Sequence, residues 1–216
     1  MPVDGRSVRW ESHRRVRRAA LADATLVAIR RHGPSVGMDD VARVAGTSKT
    51  VLYRHFTDKV QLYLAVCERV ADTLLRQLRQ VLGPERDIRE AGQARAALAA
   101  GIDVYLQLIE SDPKVYRFVV HHPALERPIN ADPVDGLVQL IGDQVARVIA
   151  PTLRSEGVDP EVALPWGHGV IGLVKAAADP WLDGRVALTR LELTDYLTQL
   201  AWNGLSGAVA SSSEGS

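Results

Sequence analysis

Side chains that form hydrogen bonds and ion pairs are concentrated in the stretch TSKTVLYRHFTDK, residues 47–59. At helical spacing, Leu52 and Phe56 lie on one face, four residues apart, and pack inward. The opposite face presents ammonium, hydroxyl, phenol, guanidinium and imidazole groups, from Ser48, Lys49, Thr50, Tyr53, Arg54 and His55. Such groups bind phosphate oxygens and base edges, and Lys59 at the start of the next helix adds a phosphate contact. The pattern predicts a short DNA-binding helix.

A second short helix is predicted just before this one. Apolar spacing indicates helices over Met38–Val44 and Ser48–Phe56, joined by the turn Ala45-Gly46-Thr47, after a longer first helix over Arg14–Arg31. Two short helices joined by a tight turn containing Gly are typical of a helix-turn-helix, whose second helix enters the major groove of DNA. A solvated helix face is the alternative reading of such a polar cluster. It is disfavoured because the turn, the outward Tyr53 and a surplus of positive charge coincide.

The charge distribution separates the start of the chain from the rest. Residues 1–60 contain twelve Arg and Lys against six Asp and Glu, whereas the whole chain has a formal net charge of zero. Residues 61–216 therefore carry an excess of negative charge. This asymmetry favours DNA binding by the first part of the chain and disfavours a non-specific architectural DNA-binding protein, which needs basic charge throughout.

Helical spacing with Gly and Pro breaks predicts an all-α fold. We expect four segments, namely a flexible arm over 1–12, a helix-turn-helix DNA-binding domain over 13–57, a ligand-binding and dimerisation domain over 58–209 and a disordered tail over 210–216. The single cysteine, Cys67, excludes an internal disulfide and a cysteine-based zinc site. The most apolar run ends at Lys175, far short of a membrane span, so we expect a soluble protein of the cytoplasm with no membrane contact.

Residues 38–66, MDDVARVAGTSKTVLYRHFTDKVQLYLAV, resemble the DNA-binding head of the TetR family of bacterial transcription regulators. The resemblance implies a three-helix head and a larger helical body that binds a small molecule and forms a homodimer through its last two helices. It also implies contacts with a double-stranded DNA operator from Lys49, Thr50, Tyr53, Arg54, His55 and Lys59. The family usually begins its second helix with a Ser or Thr that holds a phosphate, whereas this chain has Gly37. That anchor either falls to Ser35 or is missing.

The middle of the body contains helices that are apolar on more than one face, which is consistent with a plain core or with an apolar pocket. The candidates for the wall of such a pocket are Tyr105, Leu108, Phe118, Val138, Ile141 and Val145. Gln107, Arg117 and Lys175 are candidates for binding a polar head group. The fragments LYLAV, ESDPKVYRFVV, WLD and AWNGLS resemble TetR-type regulators of fatty-acid synthesis, which implies a long-chain acyl-CoA as ligand. An aromatic compound, sensed by a regulator of efflux or xenobiotic response, is the alternative.

The last two predicted helices, Pro160–Leu182 and Thr189–Val209, carry little charge and many small residues. Small residues allow helices to approach closely, and so apolar a surface is expected to be covered, most simply by a second copy. Trp166, Trp181 and Trp202 are either anchors of this interface or ordinary core residues.

An enzyme is disfavoured. The stretch GHGVIG, residues 167–172, matches the dinucleotide-binding pattern GxGxxG, but it lies in a predicted helix rather than between a strand and a helix. The histidines have no carboxylate or cysteine at metal-ligand spacing, and no nucleophile motif is present. We therefore expect no catalytic residues, no metal and no cofactor.

Overall fold

A computed structural model of the chain describes residues 5–82, 91–120 and 133–213. Within these ranges all regular elements are helical, which confirms the predicted all-α fold. They are α1 Gly5–His32, α2 Met38–Val44, α3 Lys49–His55, α4 Lys59–Leu82, α5 Ala91–Ser111, α6 Pro113–Val120, α7 Pro133–Ser155, a 3-10 turn at Pro160–Val162, α8 Ala163–Leu182 and α9 Arg190–Ser213. None of the helices in this part of the chain is long and apolar enough to cross a membrane.

The first and last helices extend beyond their predicted ends. Helix α1 begins at Gly5, so residues 5–12, which we expected to form a flexible arm, are helical. Helix α9 ends at Ser213, so residues 210–213 of the expected tail are helical too. In α1 the reason is local, because residues 6–32 contain neither Gly nor Pro to interrupt the helix. Residues 1–4 and 214–216 of the same two predicted segments lie outside the described ranges.

Packing divides the chain into two compact units. The first, called the head unit here, contains Met1–Thr73 and Asp112–Val134, and the second, called the body unit, contains Leu74–Ser111 and Asp135–Ser216. The head unit thus includes the start of α4 and the whole of α6, which lies far along the chain.

Two hydrophobic clusters form the core of the head unit. The first is formed by α1, α2, α3 and the start of α4, and contains Leu21, Ala28, Met38, Val41, Ala42, Leu52, Phe56 and Leu62. Leu52 and Phe56 are completely buried, as their spacing predicted. The second cluster joins α1 and α4 to α6 and contains Ile29, Tyr63, Val66, Cys67, Val115, Phe118 and Val119.

Polar contacts hold the same helices together. The Tyr63 hydroxyl donates a 2.8 Å hydrogen bond to the Val119 carbonyl, and Arg69 donates two to the Asp23 carboxylate, at 2.7 and 3.0 Å. Because these bonds join α4 to α6 and α4 to α1, they fix the register of the three helices.

The body unit is built on α5 and α9, which pack along each other. Leu193, Leu197, Thr198 and Ala201 form the buried face of α9. Arg190 at the start of α9 pairs with Asp103 and, at 3.1 Å, with Glu110, both on α5. The apolar face and this ion-pair network set the register of the two helices.

Helices α7 and α8 cross closely at a pair of glycines. A Cβ atom at Gly167 would lie 2.4 Å from the Gly142 carbonyl oxygen and 2.8 Å from the Ala146 nitrogen. A Cβ atom at Gly142 would lie 2.7 Å from the His168 ring, whose Nε2 is 3.2 Å from Asp143 Oδ1. Gly167, the first glycine of the GxGxxG match, therefore lies within α8 and allows α8 to pack closely against α7.

Candidate nucleic-acid interface

The two short helices and their turn have the geometry of a helix-turn-helix. Gly46 in the turn has φ +60°, in the left-handed region that glycine adopts without strain. The Thr47 amide donates to the Ala42 carbonyl at 3.0 Å, which closes α2. Ser48 then caps α3, because its hydroxyl accepts from the Val51 amide at 3.3 Å. The turn and the cap together fix where α3 begins.

Helix α3 exposes four of the predicted DNA-contacting side chains on one side and carries His55 at its end. Lys49, Thr50, Tyr53 and Arg54 are exposed and His55 is half-buried, whereas Leu52 between them is buried. We call the first five residues the recognition surface. Lys59 is exposed at the first position of α4. All six remain predicted contacts, of which His55 alone is half-buried.

An acidic residue that the sequence analysis did not single out touches this surface. Lys49 Nζ donates to Asp39 Oδ2 at 2.9 Å, and this partner raises the pKa of the Lys49 ammonium above its ordinary value. Asp39 lies at the start of α2, ten residues before Lys49. Local helix spacing cannot reveal a pair of this kind, because it depends on how the turn folds.

At the start of α2, Asp40 makes a capping hydrogen bond although Gly37 has no side chain of its own. The Gly37 amide donates to Asp40 Oδ2 at 3.2 Å, and this hydrogen bond is the main cause of a lowered pKa for the Asp40 carboxyl. Gly37 itself offers no side chain to hold a phosphate. Ser35, the proposed alternative anchor, is exposed two residues earlier.

Arginines of α1 surround the end of the recognition surface. Arg18 donates from its guanidinium to the His55 carbonyl, and the guanidinium carbon lies 4.5 Å from the centroid of the Phe56 ring. Burial lowers the pKa of the His55 imidazole, and the positive charges of Arg17, Arg14, Arg18 and Arg54 lower it further. The α1 arginines are not among the predicted DNA contacts, although their run RRVRR at residues 14–18 is a visible signal in the sequence. A basic region therefore extends from α3 onto α1.

Helix α6 is fastened to the end of α1 within the head unit. Arg30 Nε donates to Asp112 Oδ2 at 2.5 Å, and Lys114 Nζ donates to the Arg30 carbonyl at 2.7 Å. Phe118 is buried and its ring centroid lies 5.8 Å from that of Tyr63. These contacts join α6 to α1, the helix that precedes the helix-turn-helix, and to α4.

The predicted ligand-wall residues fall in both units. Phe118 belongs to the core of the head unit. The other candidates are half-buried in the body unit, Tyr105 and Leu108 on α5, Val138, Ile141 and Val145 on α7, and Lys175 on α8. Phe118 therefore has a demonstrated packing role of its own, against Tyr63.

The two helices predicted to dimerise each have an exposed stripe of small or apolar residues. On α8 the stripe contains Pro165, Gly169, Gly172 and Ala176, and on α9 it contains Tyr196, Leu200 and Gly204. Leu200 is 61% exposed. Trp181 donates its indole N–H to the Leu188 carbonyl at 2.8 Å, so it stabilises the connection between the two helices. Trp166 and Trp202 are half-buried.

Two protein families match the chain along most of its length. Residues 21–66 match the family described as bacterial regulatory proteins, tetR family, and residues 85–215 match the one described as Tetracyclin repressor-like, C-terminal domain. An uncharacterized HTH-type transcriptional regulator of Mycobacterium tuberculosis is 35% identical over 210 residues, which cover 96% of this chain and 85% of that protein. The HTH-type transcriptional activator FasR of Mycolicibacterium smegmatis is 31% identical over 186 residues, which cover 86% of this chain and 81% of FasR.

The fold is also found among solved structures. The crystal structure of a tetR-family transcriptional regulator from Streptomyces coelicolor has a TM-score of 0.65 to this chain at 24% identity, and the match covers 91% of this chain and 83% of that one. At this identity the likeness concerns the helical fold alone.

Proposed function

Because the chain belongs to the TetR family of DNA-binding transcription regulators, which are not enzymes, we propose that it binds a palindromic operator as a homodimer and responds to an apolar ligand. The ligand we propose is a fatty acyl chain or its coenzyme A thioester. The site of action is the bacterial cytoplasm.

The observation that carries the DNA-binding part is the composition of the recognition surface. Lys49, Thr50, Tyr53 and Arg54 are exposed on a short capped helix that follows a tight turn. Cationic and hydroxyl groups in this setting position a helix against phosphates and bond to base edges. We assign phosphate contact to Lys59, and phosphate or guanine contact to Lys49.

The exposed stripes of α8 and α9 support the homodimer. Gly169 and Gly172 have no atom within 4 Å of an added Cβ, so no part of the chain that the structure describes covers this side of α8. Glycines at such spacing allow another helix to approach closely, and Tyr196 and Leu200 supply apolar area on α9. A two-fold dimer would present its two recognition surfaces to half-sites about 34 to 36 Å apart, or a multiple of that distance.

The ligand proposal rests on the body unit and on the resemblance to fatty-acid-synthesis regulators. Tyr105 and Leu108 on α5 and Ile141 on α7 are half-buried apolar residues on long helices, and Lys175 offers a cation for a carboxylate or phosphate. Apolar walls with few polar groups suit an acyl chain better than a sugar or nucleotide. A ligand changes DNA affinity only by binding one conformation better than the other, typically by about 5- to 150-fold.

The connection between α5 and α6 offers a route by which ligand binding in the body unit would change DNA binding. Only Asp112 separates the last residue of α5, in the body unit, from the first residue of α6, in the head unit. Helix α6 is bonded to α1 through Arg30, so a shift of α5 pulls on the helix that precedes the helix-turn-helix.

DNase footprinting tests the DNA-binding part. The chain should protect a palindromic site, and Lys49→Ala should weaken binding roughly 5- to 150-fold if Lys49 reads a base, or reduce the salt slope by about one if it contacts phosphate. Tyr53→Phe should weaken binding as well. Wild-type operator affinity in both variants, with folding verified by circular dichroism, would remove α3 as the recognition helix.

Titration of acyl-CoA chains of increasing length against the operator complex tests the ligand part. A length-dependent change in affinity that Lys175→Gln reduces supports the proposal. A response to aromatic compounds only, or to none of the acyl chains, would replace it with the alternative of an efflux or xenobiotic regulator.

A further inference from the structure

A cavity of about 160 Å³ lies in the head unit, whereas the residues to which we assign the acyl ligand belong to the body unit. It is bounded by α1, the connection to α2, the start of α4 and α6. Its lining consists of Thr25, Ser35, Val36, Gly37, Met38, Val41, Lys59, Leu62, Tyr63 and Phe118.

The inner part of the lining is apolar. Met38, Val41 and Leu62 are buried, and so are the rings of Tyr63 and Phe118. The Thr25 hydroxyl donates to the Leu21 carbonyl at 2.8 Å and the Tyr63 hydroxyl to the Val119 carbonyl at 2.8 Å. Since both hydroxyl hydrogens point at backbone oxygens, the inner part suits a hydrocarbon group.

The donors lie at the outer part of the lining. Lys59 is the one charged residue among the ten, and Ser35 and Lys59 are both exposed. In the part of the chain that the structure describes, no carboxylate pairs with Lys59, in contrast to Lys49, which pairs with Asp39. An ammonium and a hydroxyl beside an apolar cavity are complementary to an anion that carries a hydrocarbon group.

The volume limits the size of the occupant. An apolar protein cavity of about 150 Å³ is known to hold one benzene molecule. A single ring or a short branched chain therefore fills the cavity, whereas a long acyl chain would extend out of it. One ammonium matches one carboxylate rather than a doubly charged phosphate ester.

We propose that this cavity binds a small monocarboxylate whose apolar part is a single ring or a short branched chain, with the ring between Met38 and Phe118 and the carboxylate on Lys59. This site is distinct from the acyl-ligand site of the body unit. Because Lys59 is also our predicted phosphate contact, an occupied site would compete with operator binding. That consequence rests on the proposed function, whereas binding itself does not.

The test uses the fact that the sequence contains two methionines, Met1 and Met38. In the full 216-residue chain labelled with methyl-13C methionine, benzoate and toluene should each shift the Met38 methyl resonance in a saturable manner and leave Met1 unchanged. Met38→Leu identifies the resonance. No DNA is present, so the result is independent of the operator.

Two variants that each remove one positive charge separate charge recognition from hydrophobic binding. Lys59→Gln should bind benzoate about fivefold more weakly, as expected for an ion pair near the surface, and toluene equally well. Arg185→Gln, at an exposed position between α8 and α9, should match the wild type for both probes. The proposal is overturned if neither probe shifts Met38 saturably, if benzoate fails where toluene binds, or if Lys59→Gln and Arg185→Gln bind benzoate equally.

Discussion

Lys49 on α3 donates a 2.9 Å hydrogen bond to Asp39 on α2, across the turn of the helix-turn-helix. Both side chains are well exposed, so the pair contributes little to folding. Its effect concerns DNA, because a phosphate must compete with Asp39 for the Lys49 ammonium.

Asp39→Asn should therefore bind the operator more tightly, by roughly two- to fivefold, since it frees Lys49 and removes a negative charge beside the recognition surface. Fluorescence anisotropy at constant ionic strength measures this. Asp195→Asn makes the same charge change on α9 and should have wild-type affinity. An unchanged affinity of Asp39→Asn, or an equal gain in the control, would contradict the competition.

Operator affinity should rise as the pH falls from about 7 to about 5.5, by at most about tenfold per pH unit for one proton. Burial and four arginines lower the pKa of His55 in the free protein, and a nearby phosphate favours the charged imidazolium, so DNA binding takes up a proton. His55→Gln should lose this dependence, while His32→Gln should keep it. A pH-independent affinity of the wild type would exclude His55 as a phosphate contact.

The same shift has the opposite effect on stability. Because the folded state holds the His55 pKa below the ordinary value of 6.5, the unfolded chain binds more protons near that pH. The contribution of His55 to stability is therefore present at a pH above about 6.5, and it is lost as the pH falls through the lower pKa of the folded state. Urea unfolding without DNA at several pH values separates this effect from that on DNA affinity.

Gly167→Ala should destabilise the body unit by about 1 to 3 kcal/mol, because the added methyl group overlaps backbone atoms of α7 that cannot rotate away. Chemical denaturation gives the free energy of unfolding. Gly101→Ala, in the interior of α5, is the matched control. Its Cβ would lie 3.9 Å from the Leu78 side chain, which is an ordinary van der Waals distance. The control should be neutral or slightly stabilising. Equal stability of both variants would mean that α7 and α8 lie farther apart at their crossing than the 2.4 Å distance to the Gly142 carbonyl oxygen indicates.

Leu200→Glu should convert the homodimer to a monomer in sedimentation experiments, because it places a charge on the exposed stripe of α9. Gly172→Leu should do the same by preventing close approach at α8. Val186→Glu is the control, being an exposed apolar residue of the α8–α9 connection outside both stripes. Dimers in both stripe variants would place the interface elsewhere.

Asp112→Asn should reduce the ligand response while preserving operator affinity in the absence of ligand. The change removes the charge that pairs with Arg30 but keeps an oxygen that can accept from the Val115 amide at the start of α6. Comparing the operator affinities with and without acyl-CoA measures the response. An unaltered response would exclude the bond between α1 and α6 from the route.

The helix-turn-helix could be predicted because its signals are local. Leu52 and Phe56 are four residues apart, Gly46 permits the turn, and Ser48 is a good helix cap. Residues 5–12 were predicted as part of a flexible arm because a short polar segment resembles a disordered one in composition, yet residues 6–12 contain no Gly or Pro to break a helix.

The remaining features depend on contacts between distant parts of the chain. The apolar character of Phe118 predicts burial but does not identify Tyr63 as its partner, and Asp112 lies 82 residues from Arg30. Helix α8 is mostly apolar and rich in small residues, so periodicity could not distinguish buried Val170 from exposed Gly169. In α9, likewise, it could not show that Ala201 belongs to the core.

The head unit is assembled from two separate stretches of chain, and this affects how it folds during synthesis. Its second hydrophobic cluster needs Val115, Phe118 and Val119, which leave the ribosome well after Ile29 and Tyr63. At roughly 5 to 20 residues per second, the interval between Thr73 and Val119 is about 2 to 9 seconds. Throughout that time the helix-turn-helix is complete in sequence while α1 and α4 lack their third partner. The nascent chain therefore exposes apolar surface beside its DNA-binding helices until α6 is made, and a chain truncated before α6 should depend strongly on chaperones.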